Sequence, residues 1–302
     1  MSKNPSPSGR LRGQTVLVTG TTKGGIGYET ARLLGDEGAT VLTHGRTQEA
    51  ARASVESLVG DGNGAGRFIP VAADLSSIAG ARQLANAARA AAPQGIHGLV
   101  NNAGAGFTAR RLSPDGIEMT MAINHVAVAA LTDALLDLLH AGADSLGRPS
   151  RVVSMTALIE GRGKVETDWS FPGKYSQTQA YFNAKLTNLL WVYALARRLD
   201  GHGITVNAVS PGSVRSGFGA KAGGTFGLMA RFGAPLYGPP SKGSRGVVRI
   251  MTDPGLATAT GGYHTPAKLK KSSKKSRTQH LQEQVYLQTE RLLRAHCDNQ
   301  RV

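Results

Sequence analysis

The sequence predicts an α/β chain folded around a single doubly wound parallel sheet with helices on both faces. Three observations lead there. Short apolar, β-branched runs alternate with longer helical stretches from residue 15 to residue 209. Those runs barely alternate in polarity, as strands do when both faces of a sheet are covered. A glycine-rich turn also joins the first run to the first helical stretch. A chain of 302 residues, 40% of them hydrophobic, is long enough to bury such a sheet in one domain, and no linker-like break divides it.

Taken in order, residues 15–19 read as a buried strand and 27–34 as the opening of a helix. A strand at 40–43 is followed by an Ala/Glu-rich helix over 48–59, and a turn at 61–66 leads to a third strand at 68–73. A helix over 78–92, a strand around Leu99 and Val100, and one long helix over 119–139 come next. A strand at 151–155, a helix over 181–199 and a strand at 205–209 complete the alternation. Two segments interrupt it, 158–180 and the Gly-rich 212–240, and both leave from strand ends, where ligands bind in this kind of sheet. Residues 1–13 read as a flexible tail, 14–263 as the sheet domain, and 264–302 as a basic loop followed by an amphipathic helix over 278–295.

Composition narrows the partners. The single cysteine, Cys297, makes neither an intrachain disulfide nor a thiolate metal cluster, and the eight histidines lack ligand-like spacing, so no metal is expected. A reducing cytoplasm is the expected home. Residues 1–13 lack the apolar core of a secretory signal, and the most apolar stretch, 126–139, carries Asp133 and Asp137, so no membrane span is expected. A net charge of +15 raises the question of nucleic acid, but the one basic cluster, Lys268, Lys270, Lys271, Lys274, Lys275 and Arg277, has no interleaved aromatics. It reads as a solvated loop, and no nucleic acid is expected.

The glycine turn, Thr19-Gly-Thr-Thr-Lys-Gly-Gly-Ile-Gly27, points to a nucleotide. Glycines let a backbone approach a pyrophosphate, and the helix that follows offers free N–H groups and a positive dipole end. Gly20, Thr22, Lys23, Gly24, Gly25, Ile26 and Gly27 are therefore cofactor candidates. A carboxylate at the end of the second strand would hold a ribose 2′-OH; here the strand ends in His44-Gly-Arg46. Arg46 and Lys23 would instead face a 2′-phosphate, which favours NADP(H) over NAD, unless both are ordinary surface cations.

Tyr181 and Lys185 stand one helical turn apart on the same face. A nearby ammonium favours the phenolate, so the pair suits proton transfer to or from an oxygen. With its surroundings the chain resembles the short-chain dehydrogenase/reductase family over roughly residues 14–263. The glycine turn, Asp74 in Ala-Ala-Asp-Leu, Asn101-Asn-Ala-Gly104, Asn124 in Ile-Asn-His-Val, the Tyr181/Lys185 pair and Asn207-Ala-Val-Ser-Pro-Gly212 fall in that family's order. The long interval before Tyr181, the Ala-Lys-Leu-Thr-Asn-Leu-Leu that follows it and Gly-Gly-Tyr263 resemble the retinol-dehydrogenase-like branch. The resemblance implies a Rossmann-type domain and an NADP(H)-dependent oxidoreductase acting on CH–OH and C=O groups. In it Tyr181 is the general acid/base, Lys185 holds the nicotinamide ribose, and Asn124 anchors a relay water. Asp74 and Leu75 would contact the adenine, Asn102, Ala103 and Gly104 the adenosine ribose, and Pro211 and Gly212 the nicotinamide. Plainer roles stay open for three of these: Asn124 as a bridge to a strand, Asp74 as a helix cap, Asn101 and Asn102 as turn residues.

Two departures stand out. The glycine turn is one residue longer than the family's, with the extra glycine at Gly24 or Gly25. The family's carbonyl-binding serine falls on Ala157, leaving Thr156 as the candidate hydroxyl, with Ser154 further back on the strand. If Thr156 fills that role, replacing it with valine should cut turnover sharply. Phe218, Phe226, Leu228, Met229, Phe232, Leu236 and Tyr237 in the Gly-rich segment suit either a flap over a bulky lipophilic substrate or ordinary packing. A homodimer through the helix around Tyr181 is common in the resembling family. Two rival classes remain: a catalytically silent NADP-binding regulator, and a non-redox epimerase or dehydratase.

Overall fold

The computed structural model describes residues 9–61, 66–214, 223–225, 227–228 and 237–298. Among these residues one sheet of eight strands runs in the order β3-β2-β1-β4-β5-β6-β7-β8. Its strands are β1 (Thr15–Val18), β2 (Thr40–Gly45), β3 (Arg67–Ala72), β4 (Gly98–Asn101), β5 (Ser150–Met155), β6 (Ile204–Val209), β7 (Tyr263–His264) and β8 (Leu269–Lys270). All pairings are parallel except the last, β7 with β8. The strand order reverses between β1 and β4, which opens a crevice at their carboxyl ends.

The absence of polar alternation is explained by two cores. Leu17, Leu99, Val152 and Val206 project to one face, while their neighbours Val16, Val18, Val100 and Val153 project to the other. The first face is covered by α3 (Ile78–Ala91), α5 (Ala127–Ala134) and α7 (Gln177–Leu199), the second by α1 (Ile26–Asp36) and α8 (Pro240–Thr252). Polar side chains set the starts of three helices. Thr47, Ser77 and Ser176 each accept a backbone N–H from three residues on, opening α2 (Gln48–Gly60), α3 and α7.

The sequence reading differs from the fold in three places. The single helix expected over 119–139 is instead α4 (Met119–Met121), a π-turn (Ala122–Val126), α5 and α6 (Leu136–Leu146), bent by 55° at Leu135. Thr132 bonds back to the carbonyl of Val128 (2.7 Å), and Leu135 N–H bonds Thr132 rather than continuing the α pattern. Helix α8 was hidden behind the Gly-rich segment; Pro240 at its first position is its start signal. The basic loop read after residue 263 carries a strand of its own, and the helix after it packs on the body. These residues add β8, bury Ser272 and Ser276, and seat α9 (Gln279–Asp298) on α7 through Val285 and Leu293. The lysines of that segment are exposed, as expected. No single helix among the described residues is long and apolar enough to cross a membrane.

Candidate active site

The nucleotide end of the site is a set of backbone segments locked together by small residues. Gly20 and Gly24 adopt φ of 71° and 79°, a region that favours glycine. A Cβ on Gly27 would lie 2.3 Å from both Asn102 Nδ2 and the Gly20 carbonyl, so the start of α1 approaches its neighbours more closely than any side chain allows. Asn102 Nδ2 donates to the carbonyls of Thr19 (2.7 Å) and Gly20 (3.1 Å), and the N–H groups of Asn102 and Ala103 both donate to Thr19 Oγ1 (2.9 Å each). Asn102 is therefore more than a turn former. It ties the β4 end to the glycine turn.

His44 is a member that sequence reading missed. Its Nδ1 accepts the N–H of Gly20 (3.1 Å) while Nε2 donates to the Ala73 carbonyl (3.0 Å), bridging the ends of β1, β2 and β3. Burial pushes its pKa down, which keeps the imidazole neutral and the tautomer fixed. Its position one residue from a strand end was the available signal.

The turn ends at Gly25, where α1 starts without any side-chain cap, so its first N–H groups face the crevice unclaimed by a side chain. That arrangement fits a phosphate. Gly24 needs glycine for its φ rather than for space, since nothing among the described residues lies within 4 Å of its missing Cβ. Lys23 is exposed and pairs with Asp61 (3.3 Å), a carboxylate that also accepts from Tyr28. Arg46 is exposed and makes no hydrogen bond or ion pair among the described residues. Asp74 is exposed; its Oδ1 accepts from Ser76 N–H, and Ser77 rather than Asp74 caps α3. Leu75 beside it is buried. Pro211 and Gly212 leave β6 toward the glycine turn, where α8 wedges between Pro211 and Ile26 and Ser244 donates to the Ile26 carbonyl (3.1 Å).

The chemical end gathers on α7 and the π-turn. Tyr181 is half-buried, and Lys185, one turn on, is buried with Nζ 5.6 Å from the tyrosine ring centre. Lys185 Nζ donates to the Met155 carbonyl at the end of β5 (3.1 Å). Burial lowers the Lys185 pKa to about 8 and raises that of Tyr181, so the phenol is firmly protonated at neutral pH. Asn124 is buried; its Nδ2 donates to the carbonyls of Ala105 (2.7 Å) and Thr120 (2.8 Å), while Oδ1 has no hydrogen-bond partner among the described residues. A Cβ on Gly104 would meet Asn124 Oδ1 at 2.7 Å and Lys185 Nζ at 3.7 Å. A buried acceptor and a lysine Nζ therefore both border the narrow gap left by the missing side chain of Gly104.

The carbonyl-binding hydroxyl is a different matter. Thr156 is buried, and its Oγ1 leans on the Lys185 carbonyl of α7 at 3.5 Å, a long contact that turns it toward the helix. Ser154 is fully buried and accepts from Asn101 Nδ2 (3.4 Å). The half-exposed residue at the strand end is Ala157, which has no hydroxyl.

The substrate side is closed by loops. The Ser273 N–H and Oγ donate to Glu160 (2.9 Å each), Ser276 adds a weaker bond, and Lys275 Nζ holds the Gly163 carbonyl (2.6 Å). The Tyr175 hydroxyl lies within hydrogen-bonding distance of Phe107 O and of the buried Glu118, to either of which it can donate. Gly223 and Thr225, from the Gly-rich segment, bond to Gln177, one turn before Tyr181. Leu228 is exposed; Phe218, Phe226, Met229, Phe232 and Leu236 lie outside the described residues. Among the described residues no three His, Cys, Asp or Glu side chains gather as metal ligands would. A cleft of about 450 Å³ at the far end of α7 is lined by Arg198, Arg294 and Glu290, which are already ion-paired, and stands apart from Tyr181.

A doubly wound sheet with a glycine cradle at its switch point and a Tyr–Lys–Asn group at its strand ends defines a nicotinamide-nucleotide oxidoreductase. The chain belongs to the short-chain dehydrogenase family, whose model matches residues 14–224. It is 34% identical over 258 residues to short-chain dehydrogenase TIC 32 B, chloroplastic, of Brassica napus, covering 83% of this chain and 79% of that one. It is 31% identical over 260 residues to human retinol dehydrogenase 12, covering 86% and 79%. Among solved structures, the RhlG/NADP active-site complex of Pseudomonas aeruginosa superposes with a TM-score of 0.66 at 29% identity, covering 86% of this chain and 96% of that one.

Proposed function

We propose that this oxidoreductase uses NADP(H) to interconvert a carbonyl and an alcohol on a bulky lipophilic molecule, with Tyr181 as general acid/base. The observation that carries the reading is Lys185, whose Nζ lies 5.6 Å from the Tyr181 ring centre and, with Asn124 Oδ1, beside Gly104. When bound, the nicotinamide supplies or accepts the hydride. The phenol of Tyr181 donates its proton to the carbonyl oxygen in reduction and recovers one in oxidation. Lys185, with a pKa near 8, exchanges a proton at working pH and is placed to resupply the tyrosine through the gap that Asn124 borders. Pro211 and Gly212 would border the nicotinamide, and Asp74 and Leu75 the adenine. Arg46, with Lys23 released from its exposed pair with Asp61, meets the 2′-phosphate; such surface pairs are weak enough to exchange. The choice of NADP(H) is supported by the Pseudomonas RhlG structure, which is an NADP complex, and the choice of a lipophilic substrate by the human relatives, which are retinol dehydrogenases by name.

Ala157 favours a second reading, a catalytically silent NADP-binding protein, because the strand end carries no hydroxyl for a carbonyl. One experiment separates them. NADPH oxidation is followed against a panel of lipophilic aldehydes and ketones, with Tyr181→Phe and Arg46→Ala alongside. Turnover should fall by about 10²–10⁴ in Tyr181→Phe with NADPH affinity retained. In Arg46→Ala, NADPH affinity should drop toward that of NADH. Tight NADPH binding without turnover of any substrate would establish the silent reading.

A further inference from the structure

The π-turn that presents Asn124 has two sides. On one, Asn124 bonds to Ala105 and Thr120; on the other, His125 points away from the gap and is completely buried. Its ring meets Trp169 edge-on at 5.1 Å and Trp191 at 6.0 Å, and its Nε2 lies 3.0 Å from Thr289 Oγ1 on α9. Thr289 is itself fully buried, and its hydroxyl lies 2.8 Å from the Val285 carbonyl. The hydroxyl thus stands within hydrogen-bonding distance of both His125 Nε2 and the Val285 carbonyl and links the two in either imidazole tautomer, while Asn188 on α7 is a further hydrogen-bonding neighbour of the ring. Burial lowers the His125 pKa to about 3, so this bond does not change with protonation at working pH. A π-turn widens the backbone by one residue and is held less firmly by its own ladder than an α-turn. An outside anchor therefore bears directly on where Asn124 sits.

We propose that α9, which lies outside the matched family region, is a working part of the active site: through the Thr289–His125 hydrogen bond it fixes the π-turn that presents Asn124. Thr289 and His125 are thereby positioning residues for the proton path. The inference rests on the role given to Asn124 above. A displacement of about 1 Å at such a residue costs up to 10²-fold in rate, so the anchor has kinetic consequences although it touches no substrate.

The full-length protein carrying Thr289→Val, Thr289→Ser or Leu292→Ala tests it. Leu292 packs α9 against the core one turn from Thr289 and supplies no atom to the hydrogen bond. Hydrogen exchange over residues 119–127 in the cofactor-free protein should quicken about tenfold in Thr289→Val, the equivalent of one lost hydrogen bond, and return in Thr289→Ser. In steady-state assays kcat should fall on the order of tenfold in Thr289→Val with NADPH affinity unchanged, and Ser should restore it. Leu292→Ala should lower thermal stability and leave kcat near wild type. Unchanged exchange at the π-turn in Thr289→Val, or an equal fall of kcat in Leu292→Ala, overturns the inference. If the wild type turns over no carbonyl, the functional reading fails instead, and the exchange data alone decide whether Thr289 anchors the turn.

Discussion

Lys185 should destabilise the protein that needs it. Burial takes its pKa from an ordinary 10.5 to about 8, a fall of about 2.5. At about 1.4 kcal/mol per pH unit, that corresponds to a folding cost of ~3 kcal/mol at neutral pH. Lys185→Met fills the same space with an apolar chain and removes that cost. It also loses the bond to the Met155 carbonyl, worth about 1 kcal/mol, so the net gain is ~2 kcal/mol at pH 7. The pH dependence carries a sign. A lysine with a lowered folded pKa binds fewer protons folded than unfolded between pH 8 and 10.5, so wild-type stability rises with pH across that window. The advantage of the variant should be full below pH 8, shrink through it, and reverse once the lost hydrogen bond is the only difference. Denaturant melts of the cofactor-free proteins at about pH 7 and about pH 10 measure both ends, with turnover lost in the variant throughout. A variant less stable than wild type at neutral pH, or a difference independent of pH, would refute the burial argument.

Two further expectations concern the substrate side. Ala157→Ser should place a hydroxyl at the open end of β5 and raise kcat by roughly 30-fold or more, the scale of a carbonyl-oxygen donor, whereas Thr156→Val should leave kcat within about threefold because its hydroxyl faces α7. Steady-state kinetics on both variants decide, and a collapse of kcat in Thr156→Val would return that residue to the chemistry. Glu160→Ala removes the acceptor of three serine donors and should cost ~3 kcal/mol in chemical denaturation while raising KM for the carbonyl far more than the dissociation constant of NADPH.

The alternation of strands and helices was legible because a parallel sheet buries both faces of each strand, and that leaves short runs of adjacent apolar residues such as 16–18 and 152–153 in the sequence. The glycine turn and the Tyr181–Lys185 spacing were legible for the same reason: their geometry is local. What stayed hidden depends on partners distant in the chain. His44 shows its role only when Gly20 and Ala73 are brought to either side of its ring. The bend at Leu135 comes from one threonine bonding backward within an otherwise uniform helical pattern. The basic segment's serines gain meaning from Glu160, 113 residues earlier, and α9 from a histidine 164 residues away. Thr156 was a candidate from order alone, and the long contact of its hydroxyl with the Lys185 carbonyl depends on a helix 29 residues on.

These hidden contacts divide the site into halves held by different means. The cofactor half is fixed by backbone: glycines without room for a Cβ, Asn102 stitched to Thr19 and Gly20, and His44 bridging three strand ends. Such contacts leave little to vary, because a single methyl on Gly27 would meet atoms at 2.3 Å. The substrate half is fixed by side chains donated from the C-terminal segment, Ser273 and Lys275 on the loop after β5 and Thr289 behind the π-turn. Side-chain bonds of that kind can change one at a time without disturbing the sheet. The C-terminal segment therefore grips the loop after β5 and the π-turn through bonds to Glu160, Gly163 and His125, each of which a single substitution can remove while the glycine cradle stays in place.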